Sequence, residues 1–171
     1  MRSLFLWPLR FRDKPMKFLL WFFLINWVFP NVLALLIAAF LVATRNANFT
    51  GVGFPYINVT FRKDCWGIFK KMWQRWSGLA TFAVSWMRWD VGKKSQTERH
   101  ENRHNLQFFI LGLLGYVAYV AHTAFIFFFQ KDKHSYLDNW FERDARRAAG
   151  QKVDIPRGEW NWGPNDRFPW L

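Results

Sequence analysis

Two long apolar stretches set the pattern of the chain, and polar segments of shorter period lie between and after them. The first runs from Met16 to Ala43 and is interrupted by Asn26, Pro30 and Asn31. A helix rises about 1.5 Å per residue, so roughly 20 residues cross a hydrocarbon core of about 30 Å. Residues 18–43 are therefore expected to form a transmembrane anchor, kinked at Pro30, whose missing N–H leaves a carbonyl in need of a partner. A cleaved signal sequence and a re-entrant hairpin hinged at Pro30-Asn31 are the competing readings. The run is too long for a signal core and no small-residue cleavage site follows it cleanly, which favours a retained anchor.

The second apolar stretch, Phe108 to Phe129, is also long enough to span. It can cross once, re-enter as a hairpin broken near Gly112 or Gly115, or serve as a core helix. Between the two stretches, Tyr56–Phe61 and Leu79–Trp89 have strand composition. Trp66, Phe69, Trp73 and Trp76 recur at helical spacing within residues 63–76, with Lys63, Lys70, Lys71 and Arg75 on other faces. This suits a helix lying at a lipid interface, or one packing its aromatic stripe on the protein's own core. Ser95-Gln96-Thr97-Glu98 reads as a capping box that opens a helix. Asp138 or Asn139 would cap a later helix ended by Gly150. The expected fold is an α+β membrane protein with an N-terminal transmembrane helix, a small strand pair and a helix from Ser95. A second apolar helix or re-entrant hairpin follows. Its parts are a basic arm (1–17), an anchor (18–43), a domain (44–149) and an aromatic, proline-rich tail (150–171).

Composition supports a membrane setting. The chain is 51% hydrophobic, carries 12 Trp and 20 Phe, and has a net charge of +12. Aromatic rings concentrate at headgroup depth, and a basic balance beside long apolar runs suits anionic lipid rather than nucleic acid. The basic arm, with Arg2, Arg10, Arg12, Lys14 and Lys17, points to a cytoplasmic N-terminus, but Arg62, Lys63, Lys70 and Lys71 beyond the span leave the side of the domain open. Cys65 is the single cysteine, so no intrachain disulfide forms.

One run carries chemistry. His100-Glu101-Asn102-Arg103-His104 is an H-E-x-x-H pattern in the second turn of the capped helix. Residues four apart share a helix face, so His100 and His104 can grip one metal ion with Glu101 placed as a proton acceptor. A catalytic zinc usually takes three protein ligands, and Glu142, His122 and His134 are the candidates for the third. His122 lies in the apolar run, His134 in a charged loop, and Glu142 in the later capped helix. Four histidines are too few for the several histidine boxes of a di-iron oxidase.

The first helix with H-E-x-x-H and the later helix with a Glu resemble the gluzincin class of zinc metallopeptidases. Residues 78–149 also resemble small bacterial and phage membrane proteins with an H-E-x-x-H-x-x-Q core. The resemblance implies zinc held by His100, His104 and Glu142, with Glu101 as general base acting on a peptide or protein substrate. It also implies that the strand before the metal helix can pair with an extended peptide. The chain lacks the fuller N-E-x-x-S-D arrangement of better-known gluzincins. The function expected is therefore a membrane-anchored metallopeptidase-like hydrolase. The alternative is a non-catalytic membrane or virion structural protein with a degenerate or purely structural metal motif. Arg99 or Arg103 near the motif would be available to stabilise an oxyanion.

Overall fold

The computed structural model describes residues 13–73, 76–156 and 159. Arg2, Arg10 and Arg12 of the basic arm, and Trp160, Trp162 and Trp170 of the tail, lie outside the described residues. The first apolar stretch is helical throughout: α1 (Asp13–Phe23), a π-helical turn (Leu24–Val28) and α2 (Phe29–Ala43). From Lys14 to Ala43 it is long and apolar enough to cross a membrane. The widened turn falls just before Pro30, the residue that cannot donate to a regular ladder.

Two hairpins build a mixed sheet rather than the strand pair expected. In the first, β1 (Ala47–Gly53) pairs antiparallel with β2 (Tyr56–Phe61). The segment read as one strand over 79–89 is itself a hairpin of β3 (Gly78–Thr81) and β4 (Val84–Met87). Phe82 turns it in the left-handed region at φ 51°. The hairpins join through a parallel pairing of β2 with β4, giving the order β1-β2-β4-β3. Strand alternation then sorts the residues. Val59, Phe61, Val84 and Trp86 meet the Ala34, Ala38 and Leu41 stripe of α2 in one buried cluster. On the opposite face, Asn58 and Ser85 receive α4 (Gln96–Leu111). Asn58 donates to Glu98 Oε1 at 2.7 Å and Ser85 Oγ to Asn102 Oδ1 at 2.6 Å.

Of the two readings of residues 63–76, packing on the protein's own core describes Phe69, Trp73 and Trp76. The helix α3 covers Gly67–Trp73. Trp73 is fully buried, with its ring 5.0 Å from that of Phe61, and Phe69 and Trp76 pack on the same core. Phe69, Trp73 and Trp76 thus find apolar partners inside the fold. Trp66, Lys70 and Lys71 remain exposed.

The second apolar stretch does not form one spanning helix. α4 continues through Phe108 to Leu111, and Gly112 breaks it at φ 64°, ψ −149°, a region essentially confined to glycine. α5 (Leu113–Phe129) then leaves at a bend of 115°. The chain so returned forms α6 (Trp140–Ala149), which packs along α4.

Candidate metal centre

Local signals set the three elements of the site. Ser95 caps α4 by accepting from Glu98 N at 3.1 Å. The second half of the capping box shifts by one residue, because Glu98 Oε2 accepts from Lys94 N at 2.5 Å. Asn139, not Asp138, caps α6: its Oδ1 accepts from Phe141 N at 2.9 Å. Its Nδ2 donates to Thr123 Oγ1 at 2.6 Å and Tyr119 O at 3.1 Å, which ties the start of α6 to α5. Glu142 follows one turn later. Arg103 on α4 grips Asp144 on α6 through two hydrogen bonds of 2.7 and 3.1 Å.

The result is that His100, His104 and Glu142 converge, all buried. His100 Nε2 lies 3.1 Å from His104 Nε2 and 3.1 Å from Glu142 Oε2, and His104 Nε2 lies 3.3 Å from Glu142 Oε1. Ligands at about 2.0–2.1 Å from a tetrahedral ion sit roughly 3.3–3.4 Å from one another. The spacings are therefore close to those around a tetrahedral ion, with one carboxylate oxygen of Glu142 facing each imidazole. Glu142 Oε1 accepts from Tyr119 at 2.7 Å, and Tyr136 also hydrogen-bonds the carboxylate.

The outer partners set which imidazole nitrogen is free. His104 Nδ1 faces Gln107 Oε1 at 2.8 Å, and His100 Nδ1 faces Gln151 Oε1 at 3.1 Å. The Gln107 amide has a fixed direction, since its nitrogen donates to Asp144 Oδ2 at 2.7 Å and Phe141 O at 3.1 Å. An amide oxygen requires the proton on Nδ1, which leaves the Nε2 lone pair aimed into the cluster. Gln151 reaches its position because Gly150 closes α6 in the left-handed conformation at φ 70°, and Gln151 N returns to Arg146 O.

Electrostatics follow from this crowding. Burial disfavours charge on Glu142, but His104 and His100 outweigh it and hold its carboxyl well below the usual carboxylate range. Burial likewise opposes charge on His104, yet Glu142 and then Glu101 raise it to about 9. A buried carboxylate among imidazoles draws in a cation, and a proton on His104 can take that place. Burial also pushes the Glu101 carboxyl up, against the opposing influence of His100 and His104.

Glu101 packs under β3. A Cβ at Gly78 would lie 2.6 Å from its Cγ, so only glycine admits the side chain there. Ala80 N–H donates to the Glu101 carboxylate, and Ala80 O accepts from Tyr116 at 2.6 Å. β3 is an edge strand of the sheet, and at Ala80 its backbone is engaged by Glu101 and Tyr116. The other metal candidates fall elsewhere. His122 Nδ1 accepts from Trp140 N at 3.1 Å, and His134 Nδ1 accepts from Tyr136 N and Leu137 N, both at 3.1 Å. His134 is buried rather than solvated, and holds the turn before α6. Arg103 is committed to Asp144 and Arg99 is exposed, so neither is aimed as an oxyanion donor. Reasoning from sequence missed Tyr119 and Gln151. Both come from outside the motif, and only the bend at Gly112 and the cap at Gly150 bring them in.

Searches against protein-family models, curated proteins and solved structures return no match for this chain.

Proposed function

We propose that the chain is a membrane-anchored zinc metallopeptidase-like hydrolase. The observation that carries this reading is the convergence of His100 Nε2, His104 Nε2 and Glu142 at 3.1–3.3 Å, with both Nδ1 atoms turned to glutamine oxygens. Two imidazoles and a carboxylate are a donor set suited to zinc, and three protein ligands leave a coordination position for chemistry. Bound zinc would supply Lewis acidity, acidifying water and polarising a carbonyl. Glu101 follows His100 directly and carries a carboxyl raised by burial, the property of a general base poised nearer neutrality. In peptide hydrolysis it would take the proton released as water adds to the carbonyl carbon, then deliver it to the amine as the C–N bond breaks. Tyr119 orients Glu142, and Gln107 and Gln151 orient the imidazoles. The Lys14–Ala43 helix would hold the domain at the bilayer.

A second reading, a structural metal clip without catalysis, draws on one observation: Glu101 is buried and tied to the backbone of Ala80. The test measures zinc by elemental analysis on the purified full chain, together with hydrolysis of a peptide library. Stoichiometric zinc with turnover that is lost in Glu101→Gln supports the hydrolase. Stoichiometric zinc without turnover supports the clip. A stably folded protein that takes up no zinc discards both.

A further inference from the structure

The second apolar stretch turns at Gly112, and the turn is held by the first stretch. Asn26 Nδ2 donates to Leu111 O at 3.2 Å, and Asn26 Oδ1 accepts from Leu114 N at 3.0 Å. These are a carbonyl and an N–H that the break between α4 and α5 would otherwise leave open. Trp27 Nε1 donates to Phe109 O at 3.1 Å. Gly112 allows the contact, since a Cβ there would lie 2.5 Å from Asn26 O and overlap the Asn26 amide. Around this clasp the surface is apolar. Ile25, Phe29 and Leu33 are exposed on the first stretch, and Ile110, Leu114, Val117 and Val120 on the second. Phe54, at the tip of the β1–β2 hairpin, is 88% exposed and stacks edge-on with Phe109.

We propose that α4 and α5 form a re-entrant wedge whose apolar face is covered by lipid acyl chains, with Gly112 at bilayer mid-depth and the metal centre near the membrane boundary. The membrane part rests on the anchor reading above but not on catalysis. Depth follows from counting. Taking Lys17 as one boundary, the about 20 residues needed to cross end near Ile37, and their midpoint falls at Trp27-Val28, beside the clasp. The sheet packs on α2 from Ala34 to Leu41, at the far boundary and beyond. Non-helical backbone is tolerated at such depth only when protein groups satisfy it, which is what Asn26 does for Leu111 and Leu114. A bend above 90° sends α5 back toward the side from which α4 came, and the charged run Lys131-Asp132-Lys133 follows its end. His104 lies eight residues before Gly112, at most about 12 Å along the helix, against a half-core of roughly 15 Å. The metal centre would then meet polypeptide at the boundary of headgroups and acyl chains rather than in bulk water.

The test uses the full chain in phosphatidylcholine–phosphatidylglycerol vesicles. Nitroxide is placed at single cysteines replacing Phe54, Leu114, Val117, Val120, Phe128 or Lys131, in a Cys65→Ala background. Each site is exposed, so a label displaces no core packing, and circular dichroism of each variant reports folding independently of any metal. Relaxation by oxygen against a water-soluble nickel chelate reads depth. An impermeant maleimide on Lys131→Cys and Lys94→Cys reads sidedness. The expected result is greatest depth at Leu114, a steady decrease to Phe128, a membrane-buried Phe54, and Lys94 and Lys131 reacting from the same side. Depth passing through to the opposite leaflet, with Lys131 reacting from the other side, would overturn the wedge in favour of a simple crossing. Chelate access at Leu114 and Val120 equal to that at Lys131 would overturn it in favour of an aqueous domain.

Discussion

The two ends of α4 bury polar groups in opposite ways. At its C-terminal end, two groups opened by the break at Gly112 are matched: Leu111 O and Leu114 N meet the two ends of one Asn26 amide. At its N-terminal half, His100, His104 and Glu142 bring nitrogen and oxygen ligand atoms together in a buried cluster that a proton on His104 or a metal ion can hold. A satisfied buried polar pair is what a fold needs to be stable, whereas converging acceptors are destabilising unless a cation arrives. The difference separates a structural clasp from a candidate ligand site along a single helix.

The sharpest way to break the contrast is to remove a ligand. Glu142→Ala is expected to abolish stoichiometric zinc, an effect larger than the 10–100-fold loss typical of outer partners. Elemental analysis after dialysis measures it, and retained zinc would move the centre elsewhere. Glu101→Gln separates binding from chemistry: zinc content stays, and peptide hydrolysis falls by about 10²–10⁴.

Protonation sharpens the same contrast, because only the centre should respond to pH. In metal-free protein the folded pKa of His104, about 9, stands above its ordinary 6.5. Its contribution to stability is therefore fully present below 6.5 and lost as pH rises through 9. Glu142 is shifted down from 4.5, so its contribution is present above 4.5 and lost as pH falls. Metal-free protein should melt highest between about 4.5 and 6.5 and lower toward pH 9. Zinc competes with the His104 proton, so its apparent affinity should rise with pH up to about 9. Thermal melts with and without chelator across pH 4–9 check both; a flat profile in chelator would deny the His104–Glu142 pair.

At the other end, Gly112→Ala forces a side chain onto Asn26 at a glycine-only backbone geometry. Overpacking and backbone strain together are expected to cost about 2–4 kcal/mol. A melt in detergent should show the loss while the zinc-to-protein ratio of the folded fraction is kept. Loss of zinc at full stability would contradict the division between the two ends.

The sequence made some of this legible and hid the rest for physical reasons. The histidine pair, the caps at Ser95 and Asn139 and the stop at Gly150 are local, and each depends on residues within a turn or two. The clustering of Glu142 was readable only as a condition: the stretch 108–129 had to turn back, and Gly112 does turn it. What composition could not decide was the destination of apolar surface. The Trp73 stripe has the same pattern whether it meets lipid or Phe61, and the sheet order depends on a parallel pairing of β2 with β4 that no local signal encodes. Asn26 read as a flaw in an anchor because its partners, Leu111 and Leu114, lie 85 and 88 residues away.

The finest test concerns the two outer glutamines, which hold the imidazoles from different distances in sequence. Gln107 is one turn from His104 and anchored by Phe141 O and Asp144, while Gln151 reaches His100 through the Gly150 turn, whose carbonyl accepts from Gln96 at 3.2 Å. Alanine at either position frees one imidazole to rotate or change tautomer, and outer partners of this kind typically carry about 10–100-fold in metal affinity. Gln107→Ala should lie at the stronger end, because it also removes a donor to Asp144 and Phe141 O on the α4–α6 contact, leaving Arg103 to hold Asp144. Gln151→Ala should weaken affinity without lowering the melting temperature of metal-free protein. Competition titration against a zinc chelator, run beside melts of the metal-free variants, separates the two. Equal affinity in Gln151→Ala and the parent would mean that His100 is oriented by α4 alone.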